Sequence, residues 1–203
     1  MNLRSFIKTL TAKIPFQGSL KFHEPMSRHT TLKTGGPADL WIRPWNRLFP
    51  TWTKTLLEAA ETEGIPVFFL GRGANLLVSD KGIRGIVLDT GSWQSGSAGL
   101  LRSPLKSPFI SPSKTPLVEE KEEGDLSVKV LSGSSVDDLA DYLAARSLSG
   151  LEFLAGMPGS VGGAVWMNAR CYGKSVSDVL METEILDENR CILSIPFFGG
   201  LWL

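Results

Sequence analysis

The chain has 203 residues, 42% of them apolar and 21% charged, which is ordinary for a globular protein and enough to bury a core. Lys plus Arg and Asp plus Glu both total 21, which excludes a basic footprint for nucleic acid and an acidic bias towards cationic partners. No run reaches the roughly 18 apolar residues of a membrane helix, so a cytoplasmic protein is expected.

Residues 1–26 read as a lead-in segment. Its start, MNLRSFIKTLTAKIPF, is amphipathic, and Lys8 and Lys13 interrupt any run resembling a signal-peptide core. Residues 27–91 read as a first α+β unit. A short strand is predicted over 39–42, then a helix over 47–63 with Pro50 in its first turn, apolar Leu56, Leu57 and Ala60, and Gly64 as its stop. The apolar run 67–70 predicts a strand, and further strands are predicted over 76–79 and 85–89 around a turn at 80–82. Residues 92–125, rich in Ser, Pro, Gly and charge, read as a poorly ordered insertion. A second α+β unit is expected over 126–190. It begins with a strand over 127–131 and a helix capped by Ser134 or Ser135, with Asp137 and Asp138 in its first turn, Arg146 in its last, and Leu139, Leu143 and Ala144 buried. Residues 151–173 fit neither standard element because Gly and small residues dominate an otherwise apolar stretch, and 179–186 predicts a strand. Residues 191–203, CILSIPFFGGLWL, read as an aberrant apolar tail ending at Leu203.

Two cysteines, Cys171 and Cys191, and two histidines, His23 and His29, offer neither a disulfide framework nor metal-site spacing, and Cys171 reads as an unpaired thiol. The candidate chemistry lies in three glycine-containing segments. Gly71, Arg72, Gly73, Ala74, Asn75 and Leu76 invite comparison with the dinucleotide fingerprint. Leu76 stands at its third glycine, however, and a strand rather than a helix is predicted next, which disfavours a Rossmann site. Backbone N–H groups after a buried strand can still form an anion-binding concavity, with Asn75 adding side-chain donors for a pyrophosphate. Taken alone, such a segment between strands is more often just a turn. Gly156, Met157, Pro158, Gly159, Ser160, Val161, Gly162 and Gly163 place four glycines in eight residues between apolar flanks, Leu154 and Val165-Trp166-Met167. Such flanks predict burial, and glycine backbone lets a flat ligand approach closely; the alternative is close packing on the sheet. Thr34, Gly35 and Gly36 form a third candidate wall, or a turn into the next strand.

Together, His29-Thr-Thr-Leu-Lys-Thr-Gly-Gly36, Leu70-Gly-Arg-Gly-Ala-Asn-Leu76 and Gly150-Leu-Glu-Phe-Leu-Ala-Gly-Met-Pro-Gly-Ser-Val-Gly-Gly163, running on to Asn168, resemble the MurB family. These are the UDP-N-acetylenolpyruvoylglucosamine reductases (UDP-N-acetylmuramate dehydrogenases) of peptidoglycan synthesis and cell-wall biogenesis. The blocks match in order and spacing across residues 27–186, apart from the insertion. The resemblance implies an α+β FAD-binding domain of the vanillyl-alcohol-oxidase/PCMH type, whose two α+β subdomains clasp the cofactor. It implies that residues 71–76 hold the FAD pyrophosphate and that Thr34, Gly35 and Gly36 lie by the flavin or its ribityl chain. Residues 156–163, Asn168, Tyr172 and Gly173 are implied to line the rest. Arg170 and Cys171 depart from the family's N-A-G-A-Y-G stretch.

The resemblance further implies that NADPH reduces FAD and that flavin N5 passes hydride to the enolpyruvyl β-carbon of a nucleotide-sugar substrate. A serine then protonates the α-carbon, and an arginine and a glutamate support the intermediate. The family's arginine lies in a Tyr-Arg-x-Ser stretch after the Gly173 region and the other two in a later substrate domain. None of the three is matched here, and all are expected to lie beyond Leu203, so no residue of the chain is assigned a catalytic role. Arg170 and Ser160 match cofactor-loop positions. The expectation is therefore a truncated, inactive copy of the reductase. The alternatives are a non-enzymatic flavin-binding remnant and, less favoured, a different flavin oxidase. Any FAD is expected to be noncovalent.

Overall fold

The computed structural model describes residues 2–44, 49–91, 117–120 and 126–197. The lead-in segment contains a helix, α1 (Leu3–Lys13), capped by the Asn2 side chain accepting the Arg4 N–H. Its Phe6, Ile7 and Leu10 recur at helical spacing and face inward. Strand β1 (Gly18–Pro25) pairs antiparallel with β2 (Pro37–Pro44), with Gly18 opposite Pro44. Periodicity does not announce β1, since only Leu20 and Phe22 alternate within it. After α2 (Phe49–Thr62) come β3 (Val67–Leu70) and β4 (Ile83–Asp89). β4 lies parallel to both β2 and β3, between them, in the order β1-β2-β4-β3.

The sheet is buried on both faces because its strands alternate. On one face Leu40, Ile42, Ile86 and Leu88 meet Phe6, Ile7 and Leu10 of α1 and Trp52, Leu56 and Ala60 of α2. On the other, Trp41 and Val87 meet Met26, Leu70 and Val78. Residues 76–79, expected as a strand, are not one. β4 already has a neighbour on each side, and this segment instead meets the 35–36 backbone, where the Gly36 N–H donates to the Ser79 carbonyl at 2.9 Å.

The insertion expected over 92–125 lies outside the described residues except for β5 (Leu117–Glu120), which pairs antiparallel with β6 (Leu126–Lys129). That part is a strand where no packed element was expected. Helix α3 (Val136–Ala144) starts as its sequence predicts, with the Ser135 hydroxyl accepting the Asp138 N–H and acidic Asp137 and Asp138 in the first turn. Val136, Leu139, Ala140 and Leu143 are buried, while Ala144 is exposed on the last turn and Arg146 lies beyond it.

The stretch 151–173 holds a short helix after all, α4 (Val161–Trp166), followed by the hairpin of β7 (Arg170–Cys171) and β8 (Lys174–Ser175). Phe153, Leu154, Ala164, Ala169 and Val176 join Val136 in the core of this second unit. β9 (Glu182–Leu186) pairs antiparallel with β10 (Ile192–Pro196), so the beginning of the stretch read as an aberrant tail is a regular strand. The rest of that stretch, residues 198–203 with Leu203, lies outside the described residues.

Candidate functional site

β3 delivers the first glycine segment. Its end is pinned by the Leu70 carbonyl, which accepts the Thr90 N–H at 2.8 Å and the Thr90 hydroxyl at 3.0 Å. The chain then turns through Gly71, Arg72, Gly73, Ala74 and Asn75. Among the described residues, no protein acceptor meets the backbone N–H groups of these five. Gly73 is buried and has φ +65°, and a Cβ there would overlap the His29 carbonyl, so glycine is required both by conformation and by space. The Gly73 carbonyl accepts the Thr31 N–H at 3.0 Å.

The second segment approaches the first. A Cβ on Gly71 would overlap Ser160 Oγ, a Cβ on Gly159 would lie 3.9 Å from that of Ala74, and Asn75 Nδ2 lies 3.8 Å from Met167 Sδ. Ser160 is buried, and its hydroxyl accepts the Gly163 N–H at 3.2 Å, capping α4. Gly162 packs on Ser132, donating its N–H to that carbonyl at 2.7 Å, and the Gly159 carbonyl accepts the Val136 N–H at 3.2 Å. Gly156 donates to Asp137 Oδ1 at 2.6 Å, and an added Cβ would meet nothing within 4 Å. Met157 is half-buried, and Pro158 and Gly163 are exposed. The burial predicted from the apolar flanks fails at Trp166, which is 88% exposed, and at Met167, 50% exposed. Six-residue α4 has too little buried surface to turn both under, and Ala164 is its buried side chain.

The third segment is committed largely to the chain itself. Gly36 accepts the Met26 N–H at 3.0 Å, and its Cα lies against the Asp80 carbonyl, while Gly35 packs on Val78. Thr34 is exposed, and its carbonyl accepts the Thr30 hydroxyl at 2.9 Å. Leu76 packs on the second sheet-face cluster. Asn168 (φ +46°) accepts the Ser177 N–H at 3.0 Å, and Tyr172, 87% exposed, and Gly173 form the β7–β8 turn.

Sequence reasoning gave no role to a buried polar group beside the first segment. Glu24 accepts from His29 Nε2 at 3.0 Å and from Lys21 Nζ at 3.1 Å. Burial alone would raise its pKa, but the His29 and Lys21 hydrogen bonds and charges prevail and hold it below its ordinary value. Asp89, at the end of β4, accepts from Trp41 Nε1 at 3.1 Å and Arg43 Nη2 at 2.8 Å. A charged residue closing the apolar run Ile86-Val87-Leu88 was the available signal. Asp178 is held low by the Ser175 N–H, then by the Ser175 hydroxyl.

Residues 109–193 match the FAD binding domain family. The UDP-N-acetylenolpyruvoylglucosamine reductase of Caldanaerobacter subterraneus subsp. tengcongensis is 37% identical over 87% of this chain and 49% of its own length. That of Agathobacter rectalis is 37% identical over 90% of the chain and 53% of its own, and that of Bacillus subtilis 39% identical over 86% and 49%. Over most of its length the chain is thus similar to UDP-N-acetylenolpyruvoylglucosamine reductases. It spans about half the length of the curated relatives it matches. The crystal structure of the Thermus caldophilus reductase superimposes with a TM-score of 0.58 at 25% identity, covering 89% of this chain and 53% of that one. A BBE-like 1 protein of Physcomitrella patens, 13% identical, gives a TM-score of 0.53 over 94% of this chain and 37% of its own, a likeness of fold alone. The fold is thus the α+β FAD-binding type that the reductase family implies. Among the described residues no helix is long and apolar enough to cross a membrane.

Proposed function

We propose that this chain holds FAD noncovalently at the meeting of residues 71–76 and 156–163, as the flavin-holding half of a cytoplasmic reductase. The reaction is conversion of UDP-N-acetylglucosamine enolpyruvate to UDP-N-acetylmuramate with NADPH. The observation that carries the reading is the run of backbone N–H groups from Gly71 to Asn75 that meet no protein acceptor among the described residues, beside buried Ser160. Unpaired backbone N–H groups in such a turn can supply fixed partial positive charge to a pyrophosphate at little entropic cost. Arg72, exposed on the same turn, adds a mobile cation, and Asn75 can exchange its weak contact with Met167 for a ligand oxygen. Gly156 and Gly163 are exposed and carry no side chain to obstruct a ligand, and exposed Trp166 and Met167 offer apolar surface to a flat ring.

Bound there, FAD supplies hydride transfer between NADPH and the enolpyruvyl double bond. The residues described here hold and orient; they do not deliver the proton. Ser160 Oγ is committed to the Gly163 N–H, and Arg170 lies exposed on β7. Residues 1–203 tested alone are therefore expected to bind flavin and to leave substrate turnover at background, since general acid catalysis alone supplies about 10²–10⁴-fold. The test is to load the protein with FAD, record its absorption spectrum, precipitate with acid and measure released flavin. NADPH is then added anaerobically, followed by substrate. Protein that takes up no FAD overturns the reading, retention of colour after acid overturns noncovalent binding, and substrate-dependent reoxidation at an enzymatic rate overturns the division of labour.

A further inference from the structure

We propose that His29 is a positioning residue for the flavin, acting through the turn on which Gly73 rests; the inference stands on the FAD reading above. The His29 side chain is 12% exposed and lies between two carboxylates on different strands, with Nε2 3.0 Å from Glu24 Oε1 and Nδ1 3.9 Å from Asp89 Oδ2. Its ring stacks on Trp41, centroids 4.6 Å apart at 27°, and the Trp41 indole itself donates to Asp89. Glu24 stays ionised near neutrality because its pKa is lowered, so Nε2 carries a proton and donates it into this hydrogen bond. Lys21, Arg28 and Arg43 complete the charged groups around the two carboxylates.

The backbone of the same residue carries the consequence. The His29 N–H donates to the Met26 carbonyl at 2.8 Å, fixing the turn. The His29 carbonyl fills the space where a Gly73 side chain would stand, and the Thr31 N–H holds the Gly73 carbonyl at 3.0 Å. Asp89 acts from the other side, because Thr90, its neighbour, pins the Leu70 carbonyl just before Gly71. The group Glu24, His29, Asp89 is thus linked to the start of the Gly71–Asn75 turn, at Leu70, and to its middle, at Gly73. A displacement of about 1 Å in a preorganised site can cost roughly a hundredfold.

The chemistry of the imidazole supplies the test. A glutamine amide nitrogen reaches about as far as Nε2 and can donate to Glu24, whereas an asparagine amide stops at the depth of Nδ1. FAD affinity is measured by flavin fluorescence for the wild-type chain, His29→Gln, His29→Asn and His29→Ala, at a temperature well below the melting point of each. Expected are near-wild-type affinity for His29→Gln and a loss of roughly tenfold to a hundredfold for His29→Asn and His29→Ala. A merely structural role would lower melting points but leave the folded variants with equal affinity. If His29→Ala does not fold, the Gln and Asn variants decide. Equal affinities, or a glutamine variant as weak as asparagine, overturn the inference while leaving the FAD reading intact. Absence of FAD binding by the wild-type chain overturns the FAD reading itself.

Discussion

Gly73 in the first unit and Gly156 in the second do different work. In the first, Gly73 has φ +65° and presses on the His29 carbonyl; in the second, Gly156 has a similar φ, +74°, with nothing within 4 Å of where its Cβ would stand. One glycine is demanded both by its own backbone and by the His29 carbonyl, the other by its own backbone alone. A glycine-rich motif therefore does not by itself mark open space for a ligand. It marks close approach, and the structure decides whether the approaching group is protein.

Replacing these two glycines by alanine separates the cases. Gly73→Ala adds steric overlap to positive-φ strain, and a loss of roughly 3 kcal/mol or more in urea unfolding is expected, with flavin binding lost alongside. Gly156→Ala bears the conformational penalty alone, about 1–2 kcal/mol. A similar loss at both positions would erase the contrast. Acid sharpens it from another side. The Glu24 pKa is lowered in the native state, so its contribution is present above the ordinary value of 4.5 and is lost as pH falls through the lowered value. The first unit should lose stability over that window in an acid titration, and Glu24→Gln should flatten the dependence. The smallest effect is expected at Trp166→Ala. At 88% exposure the side chain contributes nothing to the core, and stability should change by less than about 0.5 kcal/mol. A larger loss would mean that the apolar flank is buried as its sequence predicts.

Strong local signals made much of this molecule legible. The apolar run Val67–Leu70, the Ser135 cap with Asp137 and Asp138, and the strand around residues 39–42 all announce themselves by periodicity or capping. What failed were elements whose stability comes from tertiary partners. β1 exists because β2 offers a ladder along its length, and α4 forms despite Gly162 and Gly163 because Ser160 caps it and Ala164 enters the core. At the site, the glycine segments were legible as motifs, and the structure does bring residues 71–75 against Ser160 and Met167. The engagement of Gly35 and Gly36 with residues 78–80 was not legible, nor was the approach of Asp89 to the local Glu24–His29 pair, because those contacts join residues far apart in sequence.

Amide hydrogen exchange with and without FAD tests most directly whether the backbone N–H groups from Gly71 to Asn75 receive the FAD pyrophosphate. Exchange at these five amides should be fast in the free chain, since among the described residues no protein acceptor meets them, and strongly slowed when FAD is added, with Thr31, already bonded to Gly73, changing little. FAD binding that leaves those five amides as fast as before would contradict the account and place the pyrophosphate elsewhere.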